Sequence, residues 1–139
     1  MRVVLDTSVL VAAARSRRGA SNALLLRLLD KKFVPAISVP LFIEYEAVLL
    51  RSENLLNRDP ATVESFLNFL LSVSHLQKVF FAWRPALTDP DDDFILELAV
   101  AADCRYIVTH NVRDFHESEK WGIMAVMPSD FLKLIETQT

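Results

Sequence analysis

The sequence predicts an α/β fold of three layers, with helices on both faces of a central, mainly parallel sheet of four to five strands. Two observations carry this. Short apolar, β-branched runs alternate with helix-period segments along the whole chain, the pattern of strand–helix–strand crossovers rather than of hairpins. No internal repeat, low-complexity stretch or linker interrupts that alternation, so the 139 residues read as a single domain over 1–139.

The elements follow in order. Residues 2–5 form a β-branched run that stops at Asp6 and read as a buried strand with an acid at its C-terminal end. Residues 7–14 turn into a short helix, and the polar, basic residues 16–19 into a loop. Ser21 suits the cap of a helix running to about Lys32, with Leu24, Leu25, Leu28 and Leu29 on one face. Residues 33–37 read as a second buried strand, in which Pro35 signals an edge or a bend. Ser38 precedes Val39 and Pro40, and Pro40 fits the first turn of a helix reaching about Arg51. Asp59 and Pro60 restart a helix to about Ser74, carrying Val63, Phe66, Leu67, Leu70 and Leu71. Residues 78–82 read as a weak strand or extended segment, and Pro85 and Pro90 mark a loop. Asp92 or Asp93 opens a helix to about Ala102. Residues 106–109 and 125–127 are two further strands, and Pro128 and Ser129 cap a last helix.

Composition narrows the chemistry. Hydrophobic residues make up 52% and charged residues 24%, enough for a buried core and against disorder. Two glycines argue against a glycine-rich phosphate loop. A single cysteine, Cys104, excludes a disulfide within the chain and thiolate zinc sites. Residues 1–6 have no long apolar region of the signal-peptide kind, and no apolar run approaches a membrane span, so a soluble cytoplasmic protein is the expectation. A net charge of −3 is not that of a duplex binder. Mild acidity does not exclude RNA, because bound cations can hold phosphate in place of basic side chains.

In parallel α/β folds, ligands sit beyond the C-terminal ends of the strands. Asp6 follows the first strand; Asp114 lies just past the strand ending at Thr109; Glu44 is on the helix after the second strand; Asp93 begins the helix leading into residues 106–109. All four can reach one edge, where carboxylates alone would repel and a divalent cation would remove the repulsion. An all-oxygen donor set suits Mg²⁺ or Mn²⁺ rather than zinc. Each acid also has an ordinary structural reading. Asp6 suits a helix cap, Glu44 beside Glu46 an exposed helix face, and Asp114 a turn. The run Asp89, Asp91, Asp92, Asp93 suits a solvated turn and a helix start, where the dipole favours negative charge.

The segments together resemble PIN domains, and more narrowly the VapC-like toxins of bacterial type II toxin–antitoxin systems. Val3-Val4-Leu5-Asp6-Thr7-Ser8-Val9-Leu10 is similar to the family's opening strand and first acid, and the stretch from Ser38 to Tyr45 to its second acidic segment. The match is strongest from Asp89 to Phe115, and Val126 to Leu132 resembles the closing strand and helix. The likeness spans essentially the whole chain and lies in the order and spacing of its motifs. It implies a PIN-like fold and Mg²⁺- or Mn²⁺-dependent hydrolysis of RNA phosphodiesters by in-line attack of water. Its catalytic, metal-binding acids would be Asp6, Glu44, Asp93 and Asp114, with Asp92 as the competitor for Asp93's place. Ser8, Thr109 and Asn111 would orient ligands and water; Ser8 stands where the family often has asparagine. Arg15, Arg17, Arg18 and Arg113 are candidate RNA contacts, with a solvated loop the competing reading for the first three. The resemblance also implies a cognate antitoxin and a homodimer, for which the helical faces around residues 41–50 and 63–71 offer apolar surface. A catalytically weak PIN domain that binds RNA or a partner is the alternative. An aspartyl-phosphate enzyme fits less well, because Ser8 occupies the place of its usual second acid.

Overall fold

The computed structural model describes residues 1–80 and 92–137. At its centre stands strand β1 (Arg2–Leu5), whose Val3, Val4 and Leu5 are fully buried, as expected of a parallel strand covered on both faces. β2 (Val34–Ile37) pairs with β1 on one side, and β3 (His75–Leu76) pairs with β2 beyond it. β4 (Tyr106–Val108) pairs with β1 on the other side, followed by β5 (Met124–Val126). All four pairings are parallel and the order is β3-β2-β1-β4-β5.

Helices α1 (Thr7–Arg15), α2 (Ala20–Leu26), α3 (Val39–Leu49), α4 (Ser52–Leu55), α5 (Pro60–Ser72), α6 (Asp93–Ala101) and α7 (Pro128–Glu136) complete the three-layer α/β/α arrangement. α1 packs on α2 and α3, α2 on α7, and α6 on β1, β2 and β4. Starts of helices follow local chemistry. The Ser38 hydroxyl accepts from Leu41 N at 3.3 Å with Pro40 behind it, and Asp59 accepts from Ala61 N at 2.9 Å before Pro60. In the core, the Phe131 ring meets Phe33 edge-on, with centroids 5.4 Å apart, and Tyr106 at 5.7 Å.

Several local expectations are corrected. α2 starts one residue before Ser21, with Gly19 as its cap, because the Ser21 hydroxyl is buried and bonded elsewhere. Beyond Leu26 the chain tightens into turns closed by bonds to the third residue back, ending at Lys31 with φ 54°, and this turns Leu29 out to solvent while Leu24 and Leu28 stay buried. Pro35 lies in a strand with neighbours on both sides. Val34 N–H points to β1, so the side lacking a donor at Pro35 faces β3, which pairs only from Ala36 onward. The third strand in chain order is His75–Leu76, not residues 78–82; residues 78–80 are not strand, and 81–82, Trp83, Pro85 and Pro90 lie outside the described residues. Met127, not Ser129, caps α7, with Pro128 in its first turn. A 3₁₀ helix, Val112–Trp121, closes on Gly122 at φ 76°, a left-handed conformation that favours glycine. The faces that the sequence left for pairing are mostly core: Leu41, Tyr45, Leu49, Val63, Leu67 and Leu70 are buried.

Removing the Phe131 ring takes away both ring contacts and leaves a void at 0% exposure, so Phe131→Ala is expected to cost about 3–5 kcal/mol in urea unfolding. Burial pushes the Cys104 thiol up to about 12, Arg2 offsetting only part of it. Between pH 9 and 12 the unfolded chain releases a proton that the native thiol keeps, so this contribution, whole below pH 9, is lost as pH rises. The urea midpoint should fall over that window and fall less steeply in Cys104→Ala.

Candidate metal centre

The sheet order creates a crevice. From β1 the chain steps outward through β2 and β3, then returns to the opposite flank of β1 as β4. The connections therefore leave in opposite directions between β1 and β4, the place where open α/β sheets bind ligands beyond their strand ends. Asp6 and Thr109 are the first residues past those two strands. Asp6 N–H donates to Val108 O and Thr109 N–H to Val126 O, both at 2.9 Å, so the ladders hold both backbones where the side chains leave the sheet.

Asp6 occupies the cap position of α1, yet its carboxylate makes no capping bond. It accepts instead from Ser8 Oγ at 2.7 Å and from Thr109 Oγ1 at 2.8 Å, both on Oδ2. Thr109 Oγ1 in turn accepts Asn111 N–H at 2.9 Å, and Ser8 Oγ accepts His110 N–H at 3.1 Å. Asp6 is only 7% exposed, and these donors take the place of the water it has lost.

Glu44 comes to the same crevice from α3. The Thr7 hydroxyl donates to Glu44 Oε2, and the next residue, Tyr45, donates its hydroxyl to Leu5 O, tying α3 to the end of β1. Burial first, then the charges of Asp6 and Glu44, raise the Tyr45 phenol well above its ordinary value. Asp93 is 6% exposed in the first turn of α6. α6 leads into β4 and so runs opposite to the strands, which puts Asp93 at their C-terminal edge, with half-buried Asp92 as the residue before it. Asp114 lies in the first turn of the 3₁₀ helix and is exposed. Asp89 and Asp91 lie outside the described residues.

The structure thus joins Asp6, Ser8, Thr109 and Asn111 by direct bonds and brings Glu44 alongside, with Asp93 and Asp114 placed at the edge by their elements. Among the described residues no three His, Cys, Asp or Glu side chains stand close enough together to hold one ion. Magnesium does not require such a cage, since it keeps several waters and takes one or two carboxylates with substrate phosphate. The oxygen-only donors fit that chemistry. The arginines Arg15, Arg17, Arg18 and Arg113 are all exposed, and Arg15 also donates twice to Asn54 Oδ1, at 3.1 and 2.7 Å. That contact braces α1 against α4. Sequence reasoning missed Thr7 and Tyr45; their places beside Asp6 and Glu44 were the only signal available.

An all-parallel sheet with an oriented acid at its switch point defines a class of α/β proteins that work at the strand ends. Residues 2–113 match the PIN domain family, and the chain belongs to it. Members of this family are generally nucleases, which supports a hydrolase role. Among solved structures, VapBC-1 from nontypeable Haemophilus influenzae is similar, with a TM-score of 0.60 over 93% of this chain and 99% of that one at 11% identity. At that identity the likeness is one of fold. No curated protein matches the sequence.

Thr109→Val removes a donor from Asp6 and an acceptor from Asn111 N–H in a fully buried position. It is expected to cost about 1–3 kcal/mol in urea unfolding, with Thr109→Ser recovering most of it.

Proposed function

We propose that the chain, as one PIN domain over residues 1–139, is a Mg²⁺- or Mn²⁺-dependent endoribonuclease and the toxin of a toxin–antitoxin pair. The observation that carries this reading is Asp6: a nearly buried carboxylate at the switch point that declines the capping bond open to it and is oriented by two hydroxyls. In this reading Asp6, Glu44, Asp93 and Asp114 form the acidic edge, from which one or two carboxylates would ligate a hydrated cation directly and the others act through its waters, with Asp92 competing for Asp93's place. Once bound, the cation would supply an acidified water and neutralise a phosphate oxygen.

The remaining work falls to the chain. Ser8 and Thr109 keep the Asp6 carboxylate in one orientation, and Thr7 does the same for Glu44, so little reorganisation is needed when substrate arrives. Asn111, whose backbone is tied to Thr109, orients water at the edge. Arg15, Arg17, Arg18 and Arg113 attract RNA phosphates from exposed positions, with Arg15 also bonded to Asn54.

The partners proposed are RNA as substrate, a small antitoxin protein that covers the acidic edge, and a second copy of the chain. Pairing would use the apolar surface left open by Val39, Ile43, Leu76 and Phe80, which are 59–87% exposed. No described helix is long and apolar enough to cross a membrane, and the cytoplasm is the compartment proposed.

Asp6→Asn and Asp93→Asn are expected to keep the wild-type circular dichroism and to lose about 100-fold or more of metal-stimulated cleavage of a mixed RNA pool. Excess chelator should abolish wild-type activity. Cleavage that persists in chelator, or survives undiminished in both variants, would sink the mechanism. RNA binding without any cleavage by the wild-type chain would favour a binding module instead.

A further inference from the structure

Ser21 is 2% exposed in the first turn of α2, and a buried hydroxyl needs a partner. Its partner is His110 Nε2, 2.8 Å away and 89 positions along the chain. Either protonation state of the imidazole serves, because a hydroxyl can accept from Nε2–H or donate to bare Nε2. The bond was not expected from sequence, where Ser21 read as a cap.

His110 lies between Thr109 and Asn111, the residues that hold one side of Asp6. Thr109 donates to Asp6 Oδ2; Asn111 N–H donates to Thr109; His110 N–H donates to Ser8, which also donates to Asp6. Those three residues thus form one side of the clamp on Asp6, and their backbone leaves the sheet at Thr109. Beyond that point the His110 ring bonds to a helix from a different part of the chain. α2 also follows residues 16–19, the basic loop carrying Arg17 and Arg18, so one bond ties that loop to the clamp.

We infer that His110 is a positioning residue of the nuclease site: through Ser21 it anchors residues 109–111 and so keeps Asp6 oriented. The inference rests on the nuclease reading above. It differs from direct RNA contact by the ring, which the exposure of His110 also allows.

The test compares Ser21→Ala, His110→Ala, the double variant and His110→Gln, whose amide can still pair with the Ser21 hydroxyl. Steady-state RNA cleavage in Mn²⁺ is read beside hydrogen exchange at the His110 and Asn111 amides. Ser21→Ala and His110→Ala should each lower kcat by about 10- to 100-fold while KM moves less than about twofold. The double variant should be no worse than the poorer single, and His110→Gln should recover most of the loss. Exchange at both amides should quicken about fivefold or more in the two alanine variants, with Thr109 N–H, held by Val126 O, unchanged. Wild-type kcat in Ser21→Ala with a raised KM in His110→Ala would mean that the ring touches RNA itself, and overturns the inference. Unchanged exchange in both alanine variants overturns it too. Quickened exchange in a chain whose wild type cleaves no RNA would overturn the nuclease reading and leave the anchoring supported.

Discussion

Asp6 is held where two strands end side by side, and its carboxylate is satisfied from both of them. Ser8 reaches it from the helix that continues β1, and Thr109 from the residue that continues β4. An ionised group with 7% exposure is costly unless it is hydrogen-bonded or paired. The two hydroxyls therefore meet a folding requirement and an orienting one with the same bonds. Much of the surrounding architecture serves that arrangement. Val3, Val4 and Leu5 carry no exposed surface, which fixes β1 at the centre of the sheet, and the ladder with β4 aligns Leu5 with Val108 so that Asp6 and Thr109 emerge together.

The second carboxylate is placed by a different device. Glu44 sits on a helix that starts at the end of β2, two strand positions from β4. Tyr45 draws that helix in by donating to Leu5 O, and Thr7 then meets Glu44. A neutral Tyr45 is favoured first by burial and then by the negative charges of Asp6 and Glu44, which keeps the phenol available as a donor. Packing and electrostatics agree here, as they should in a sequence that specifies one structure.

What could be read from the chain was what depends on near neighbours. The strand at residues 2–5, the Ser38–Pro40 helix start, the Asp59–Pro60 restart and the helix opening at Asp93 all carry their signals within four or five residues, and all formed where expected. The failures involve distant partners. Ser21 has the side chain of a cap but spends it on His110, and Pro35 is accommodated because its neighbour β3 is short. The run of i−3 bonds after Leu26 and the 3₁₀ helix after Asn111 have no periodicity that binary patterning detects. The elements that carry Asp6, Glu44, Asp93 and Asp114 follow from topology, which the strand–helix alternation made legible. The hydroxyls of Thr7 and Tyr45 acquire meaning only once α3 is docked on β1.

The two flanks of the sheet have a consequence for how copies of this chain can meet. Among the described residues the outermost strands are His75–Leu76 and Met124–Val126, far shorter than the six-residue segments that template cross-strand stacking. Short edges are one way soluble proteins avoid growing sheet onto sheet. With 52% hydrophobic residues the chain has much to hide while folding, and brief edges keep exposed backbone from seeding fibrils. Association between folded molecules is thereby steered to side-chain surfaces, where shape and charge can select the partner.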